Sequence, residues 1–278
     1  MTTSSAVEQK AASIPVMVPA SGGGWLAGFG NILGKELSDW FGTRRWWIQA
    51  LVWLIILNVG LALILFVAPA FDPQAAQGGP DGLYMSGLSV FFNTLVLLGS
   101  IGVIILTQDE IIQEKQSGTA AWILTKPVSR ASLLLSKLLS NIAGVLLLVI
   151  AVPALVAYIE ILIASGRAAP VLQYVQALGV MLLTLTFYIT LSLMLGTFFE
   201  QRGPVLAGTF GVLVGGLVVS QFLPKLSYIL PLSMDKIAMS ILQGQPLSLP
   251  MMYELITAAL FSVLFMVAAL WRFSDEEF

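Results

Sequence analysis

Six continuous apolar runs limit what this chain can fold into. They are Trp46–Val67, Leu88–Leu106, Leu138–Ile163, Tyr174–Phe199, Val205–Leu223 and Met251–Trp271. A hydrocarbon core about 30 Å thick takes roughly 20 apolar residues as a helix, and each run is close to that length. The runs are unbroken rather than alternating, which excludes the strands of a membrane barrel. Only 10% of the residues are charged, against 58% hydrophobic. A soluble domain carries about a quarter charged residues, and this chain has too few to cover a water-facing surface. The expectation is an all-α integral membrane protein with six transmembrane helices in one membrane domain, residues 25–278. Residues 1–24 are rich in Ala, Ser, Gly and Pro and read as a flexible cytoplasmic tail; they lack the basic start and apolar core of a signal peptide.

Composition also narrows the chemistry. The chain has no cysteine and no histidine. Disulfides, thiol catalysis, Ser-His-Asp triads, HExxH zinc sites and His proton shuttles are therefore excluded. With 13 basic and 15 acidic residues the formal charge is −2, which gives no case for a nucleic-acid partner.

Basic residues set the expected orientation. With the N-terminus in the cytoplasm, the inner side holds Lys10, Lys35, Arg44, Arg45, Lys115, Lys126, Arg130, Lys137, Arg202 and Arg272. The outer side holds only Arg167, Lys225 and Lys236. Both termini are expected to be cytoplasmic, in a multi-pass protein of the inner (plasma) membrane, with membrane lipids as neighbours.

Four stretches carry further information. Before the first span, Phe29, Leu33, Leu37, Trp40 and Phe41 fall at helical spacing, with Lys35, Glu36, Ser38 and Asp39 elsewhere. This reads as an N-terminal amphipathic helix lying in the inner interface, anchored by Arg44, Arg45, Trp46 and Trp47. Thr107–Lys137 is the largest polar inner segment. Gln108–Lys115 is expected to continue the second span as a helix, with Gly118 as its stop. Thr119 can cap a short helix, Ala120–Leu124, that shows Trp122, Ile123 and Leu124, and Pro127 ends it. Ser129 can cap the third span. A loop of this length is uncommon unless functional, and an apolar tip needs a partner to cover it. On the outer side, Ser233 precedes an amphipathic segment, Met234–Leu242, with Gly244 as a stop. This helix either roofs the outer end of a pathway or rests in the interface.

Polar groups inside spans are functional candidates. Glu160, with Arg167 as a partner, and Glu254, with Lys236, are candidates for a pathway or gate. Asn58, Asn93, Asn141 and Gln221 suit hydrogen bonds between helices. On the fifth span, Gly208, Gly211, Gly215 and Gly216 form a small-residue face. Gly211-x-x-x-Gly215 permits close helix approach, internally or across a dimer seam.

The run from Glu110 through Glu114 to Gly118-Thr119, then Leu124, Pro127-Val-Ser-Arg130 and Lys137, resembles the ABC-2 type permeases of ABC transporters. A leading amphipathic helix, six spans and cytoplasmic termini extend the resemblance to nearly the whole chain. It implies that the segment between spans 2 and 3 is a cytoplasmic coupling helix that docks on a separate ATPase subunit. Coupling would fall to Glu110, Glu114, Gly118, Thr119, Trp122, Leu124, Pro127 and Arg130, with Glu114 and Arg130 as ion-pair candidates toward the ATPase. The chain has no GxxxxGK[ST] sequence. By the resemblance ATP and Mg are bound by the partner, this subunit is non-catalytic and binds no cofactor or metal itself, and it pairs with a second permease in a homodimer or heterodimer.

Two functions follow from that resemblance. One is export of a lipid, glycan, peptide or hydrophobic compound. The other is mechanotransmission to an extracytoplasmic partner without solute transport. A non-ABC membrane scaffold or accessory subunit is the reading from another class. A membrane enzyme would need Glu160 and Glu254 as an acid-base pair, and they stand on different spans with no nucleophile beside them.

Overall fold

The computed structural model describes residues 24–71, 78–116, 129–223 and 229–274. The ordered elements among these residues are helices, with no strand. In chain order they are α1 (Phe29–Phe41), α2 (Trp46–Phe71), α3 (Gly79–Thr107), α4 (Glu110–Gln116), α5 (Arg130–Ser165), α6 (Val171–Phe198), α7 (Arg202–Val219), α8 (Met234–Leu242) and α9 (Leu249–Ser274). Six of them (α2, α3 with its extension α4, α5, α6, α7 and α9) are long and apolar enough to cross a membrane.

Helix ends follow local chemistry. The second span starts at Gly79 rather than Leu88, because Pro80 fits the first turn and Asp81 complements its positive end. The third span starts at Arg130. The Ser129 hydroxyl accepts the Ser132 amide at 3.0 Å, as the sequence predicts for a cap. After a two-residue turn at Gln108-Asp109, α4 continues the direction of α3. Gly166, at φ 68, ends α5 in the left-handed conformation that glycine adopts without strain.

Helix α6 is the most buried span and the centre of the packing. It lies against α9, α8, α3 and α7. Leu185, Phe187, Tyr188, Ile189 and Leu193 are buried on it, and Phe187 meets Phe265 of α9 edge-on at 5.4 Å. Lipid is as apolar as leucine, so these spans associate through close packing and hydrogen bonds rather than through exclusion of water. Two glycines carry that requirement. A Cβ on Gly102 of α3 would lie 1.9 Å from the Trp53 ring of α2, and one on Gly144 of α5 would lie 2.4 Å from the Trp40 ring of α1. Tyr174 of α6 adds a hydrogen bond to the Ala154 carbonyl of α5 at 2.8 Å.

The small-residue face of the fifth span divides. Gly208 abuts Leu195 of α6, and Gly216 abuts Leu230 and Leu232. A Cβ on Gly211 or Gly215 would meet nothing within 4 Å, so this pair makes no internal close approach.

Candidate functional site: a buried charge knot beneath the first helix

One end of the bundle carries α1, α4, the start of α5 and the end of α9. There the docked face of α1 differs from the sequence reading. Ile32 and Glu36 are its most buried residues, with Glu36 only 7% exposed. A carboxylate at the centre of an apolar face needs a cation. Lys137 of α5, 4% exposed, supplies it, with Nζ 3.3 Å from Glu36 Oε2. The same Nζ lies 3.2 Å from Glu114 Oε1 of α4. Lys35 flanks both carboxylates, at 3.4 Å from Glu36 and 3.7 Å from Glu114.

Glu110 joins the knot through Asn141. The Asn141 amide donates to Glu110 Oε2 at 2.6 Å and to the Lys137 carbonyl at 2.8 Å. This is the hydrogen bond between helices that the sequence suggests for Asn141. Asn58 instead donates to the Leu54 carbonyl of its own helix, and Asn93 and Gln221 are exposed. Helix α4 is held from its other side as well. Lys115 Nζ donates to the Thr197 carbonyl at 2.8 Å and the Gln116 amide to the Glu200 carbonyl at 2.9 Å, both at the C-terminal end of α6.

A cavity of about 740 Å³ opens beside the knot, lined by Lys35, Glu36, Trp40, Gln49, Glu110, Glu114 and Lys137 among others. Among the described residues no group of three His, Cys, Asp or Glu side chains is placed to hold a metal ion. Separating two buried partners strands an uncompensated charge, so α1, α4 and the start of α5 are fastened to one another.

Three coupling residues of the sequence analysis are described here, and each has an internal role. Glu110 and Glu114 come together in the knot, at Asn141 and Lys137. Arg130 donates to the carbonyls of Phe273, at 3.2 Å, and Ser274, at the end of α9. The negative end of a helix attracts a guanidinium, which explains that placement. Beside it, Ser129 donates its amide to the Ala27 carbonyl at 3.0 Å and its hydroxyl to the Trp25 carbonyl. Gly118, Thr119, Trp122, Leu124 and Pro127 lie outside the described residues, as does nearly all of the 1–24 tail. The Glu36–Lys137 pair was missed by the sequence reading, although the i, i+4, i+8 spacing of Ile32, Glu36 and Trp40 carries its signal.

At the other end, α8 spans the residues that the sequence predicts, with Gly244 turning the chain at φ 67. Met234, Ile237, Ala238 and Leu242 are its buried residues, and it packs on α6 and α3. Glu254, 3% exposed, does not take Lys236 as its hydrogen-bond partner. It accepts the Ser233 amide at 2.6 Å and so fixes the start of α8. Arg167 pairs with Asp81 at 2.7 Å, its guanidinium lying over the Tyr84 ring, and not with Glu160. One carboxylate oxygen of Glu160 is enclosed without a hydrogen bond among the described residues.

Glu254→Ala removes the acceptor of a buried amide, at an expected cost of about 1–3 kcal/mol, concentrated in α8. Hydrogen exchange of the peptide containing Ser233 checks this. Exchange should accelerate in the alanine variant and less in Glu254→Gln, which keeps an acceptor. Equal exchange in all three proteins would show that Glu254 does not hold α8.

Six membrane-length helices, α6 the most buried of them, with a charge knot at one end and a capped short helix at the other, define an all-helical multi-pass membrane protein. The chain belongs to the family described as Protein of unknown function (DUF2705), whose model matches residues 48–277. It is also similar to the uncharacterized transmembrane protein YxlG of Bacillus subtilis (strain 168). The two are 25% identical over 244 residues, which cover 84% of this chain and 93% of that protein.

Proposed function

We propose that this protein is the membrane-spanning subunit of an ABC transporter of the ABC-2 type, driven by a separate ATPase, and that it exports a lipid, glycan, peptide or hydrophobic compound. In this reading the α1 end faces the cytoplasm of the cell that carries the protein in its plasma membrane, in line with its excess of Lys and Arg. One observation carries the proposal. The two helices that bracket residues 117–128, α4 and α5, are tied to each other and to α1 through Lys137. A push on that segment would reach three elements at once, which is what a coupling segment requires. Mechanotransmission to an extracytoplasmic protein uses the same knot and differs only in what moves at the far end.

The test is a pull-down of the solubilised chain from its native membrane, read by mass spectrometry, with Trp122→Asp in parallel. The proposal expects a Walker-type ATPase with the parent chain and its loss with the variant. A chain that travels without an ATPase, in an unrelated complex, would refute it. An additional extracytoplasmic protein in the parent sample would favour mechanotransmission over export.

A further inference from the structure

Glu110 differs from the other two carboxylates of the knot. Glu36 and Glu114 each lie within 3.3 Å of Lys137 Nζ, and Lys35 flanks them both. Glu110 makes no ion pair among the described residues. Its one hydrogen bond there comes from the Asn141 amide nitrogen, which donates to Oε2 at 2.6 Å. The same nitrogen donates to the Lys137 carbonyl at 2.8 Å. A carbonyl only accepts, so that contact fixes which end of the carboxamide faces Glu110. Asn141 Oδ1 is then left without a donor among the described residues, on a side chain that is 0% exposed. A buried acceptor in that state carries the cost of its lost hydration.

One proton accounts for both features. A carboxylic acid and a carboxamide join through two parallel hydrogen bonds, N–H to C=O and O–H to C=O, whereas a carboxylate can only accept. A proton on Glu110 Oε1 supplies the donor that Asn141 Oδ1 lacks. It also removes a negative charge from a crowded place. Lys35, Glu36 and Asp39 of α1, Asp109 and Glu114 from its own stretch of chain, and Lys137 of α5 line one cavity with it. Helix α6 meets α4 through the carbonyls of Thr197 and Glu200. Carboxylates that share a site favour the protonated form of one of their number. Glu110 also stands past the hydrocarbon. Helix α3 has 29 residues, about 43 Å at about 1.5 Å per residue, and starts beside Asp81, whose side chain is 78% exposed. That exceeds a core of roughly 30 Å, and α4 comes after it. The cavity gives the carboxyl its route to solvent. We propose that Glu110 is a proton-binding latch, a carboxylic acid closed on Asn141 that frees α4 from α5 when its proton leaves to the cavity. The hold is present at low pH and lost as pH rises, because only the protonated form makes the second hydrogen bond. The inference concerns α4 and α5 alone and stands whether or not an ATPase docks at residues 117–128.

Two measurements on the full-length protein in lipid nanodiscs test this. The first is infrared difference spectroscopy between about pH 6 and about pH 9, a range over which an ordinary Glu, titrating near about 4.3, stays ionised. A carboxylic-acid C=O band should be present at the lower pH and lost at the higher. That band should be missing from the difference spectrum of Glu110→Gln. The second is the distance between spin labels on α4 and α5. The chain has no cysteine, and Gln113→Cys and Leu139→Cys place labels at exposed positions. The distance distribution should be narrow at the lower pH and broaden reversibly at the higher. Glu110→Gln has nearly the same shape and offers Asn141 both an acceptor and a donor at every pH, so its distribution should stay narrow throughout. Asp109→Asn, on the neighbouring carboxylate, should respond as the parent does. A parent without the band, a parent distribution that does not change with pH, or a Glu110→Gln variant that responds as the parent does would each overturn the proposal. Parent behaviour decides the first two points without any variant in the latch. Because no ATPase enters these measurements, they can fail while the pull-down succeeds, and the reverse.

Discussion

Lys137→Met should be among the most damaging single substitutions at the α1 end. The side chain is 4% exposed and faces two carboxylates at 3.3 and 3.2 Å, with Glu110 held beside them by Asn141. Methionine has nearly the same length and no charge, so packing changes little and the loss is electrostatic. Removing one partner of a buried ion pair costs about 3–5 kcal/mol, because the other partner stays buried and uncompensated. Lys35 cannot take over, since its side chain is 51% exposed and its charge is shared with water. The expected outcome is a large fall in the thermal unfolding midpoint of the purified protein in detergent. Glu36→Gln, Glu110→Gln and Glu114→Gln, added to Lys137→Met, should recover most of that fall by removing the stranded charges. A midpoint that stays at the parent value in Lys137→Met would mean that the knot does not hold α1 and α4 in place.

The knot also shows where sequence reading reached its limit. Run length and composition are one-dimensional, so the six spans, the α4 extension, the Ser129 cap and α8 were legible. Ion pairs between helices are not, because they depend on which faces meet. The helical spacing of Phe29, Leu33, Leu37, Trp40 and Phe41 leaves Glu36 among the polar residues of α1. Its position four residues after Ile32 instead puts it in the docked face, and Lys137, which lies 101 residues away in the chain, makes that tolerable. For the same reason the sequence offers Arg167 and Glu254 only charged partners near in the chain or level in the membrane, Glu160 and Lys236. Arg167 found Asp81 on another helix, and Glu254 found a backbone amide. Backbone donors carry no sequence signal, so that contact had to come from the fold. The apolar run alone does not decide an amide's partner, since Asn141 bonds Glu110 of another helix and Asn58 bonds a carbonyl of its own.

The second large effect concerns the seam between α2 and α3, where a single glycine admits a tryptophan. The ring of Trp53 is 5% exposed and occupies the place a side chain at 102 would need. Trp53→Ala leaves a void of roughly 140 Å³, which at about 24 cal/mol per Å³ amounts to about 3 kcal/mol if the helices do not collapse. In a bilayer that loss is one of contact rather than of burial from water, because lipid can reach only the outer side of the seam. Gly102→Ala acts in the opposite sense. Its Cβ would stand 1.9 Å from the ring, so Trp53 must rotate away or α2 must move, at about 1–3 kcal/mol for overpacking. The two changes compensate each other in space. In Gly102→Ala with Trp53→Ala the new methyl group enters the void and meets no ring. The double variant should therefore be less destabilised than the sum of the singles, with a coupling of about 0.5–3 kcal/mol from unfolding in a fixed detergent. Simple additivity would mean that the ring and the glycine do not touch, and the packing of α2 on α3 would have to be placed elsewhere. The sign of the coupling separates close packing from a general sensitivity of the two helices to substitution, since the latter predicts no relief when both sites are changed.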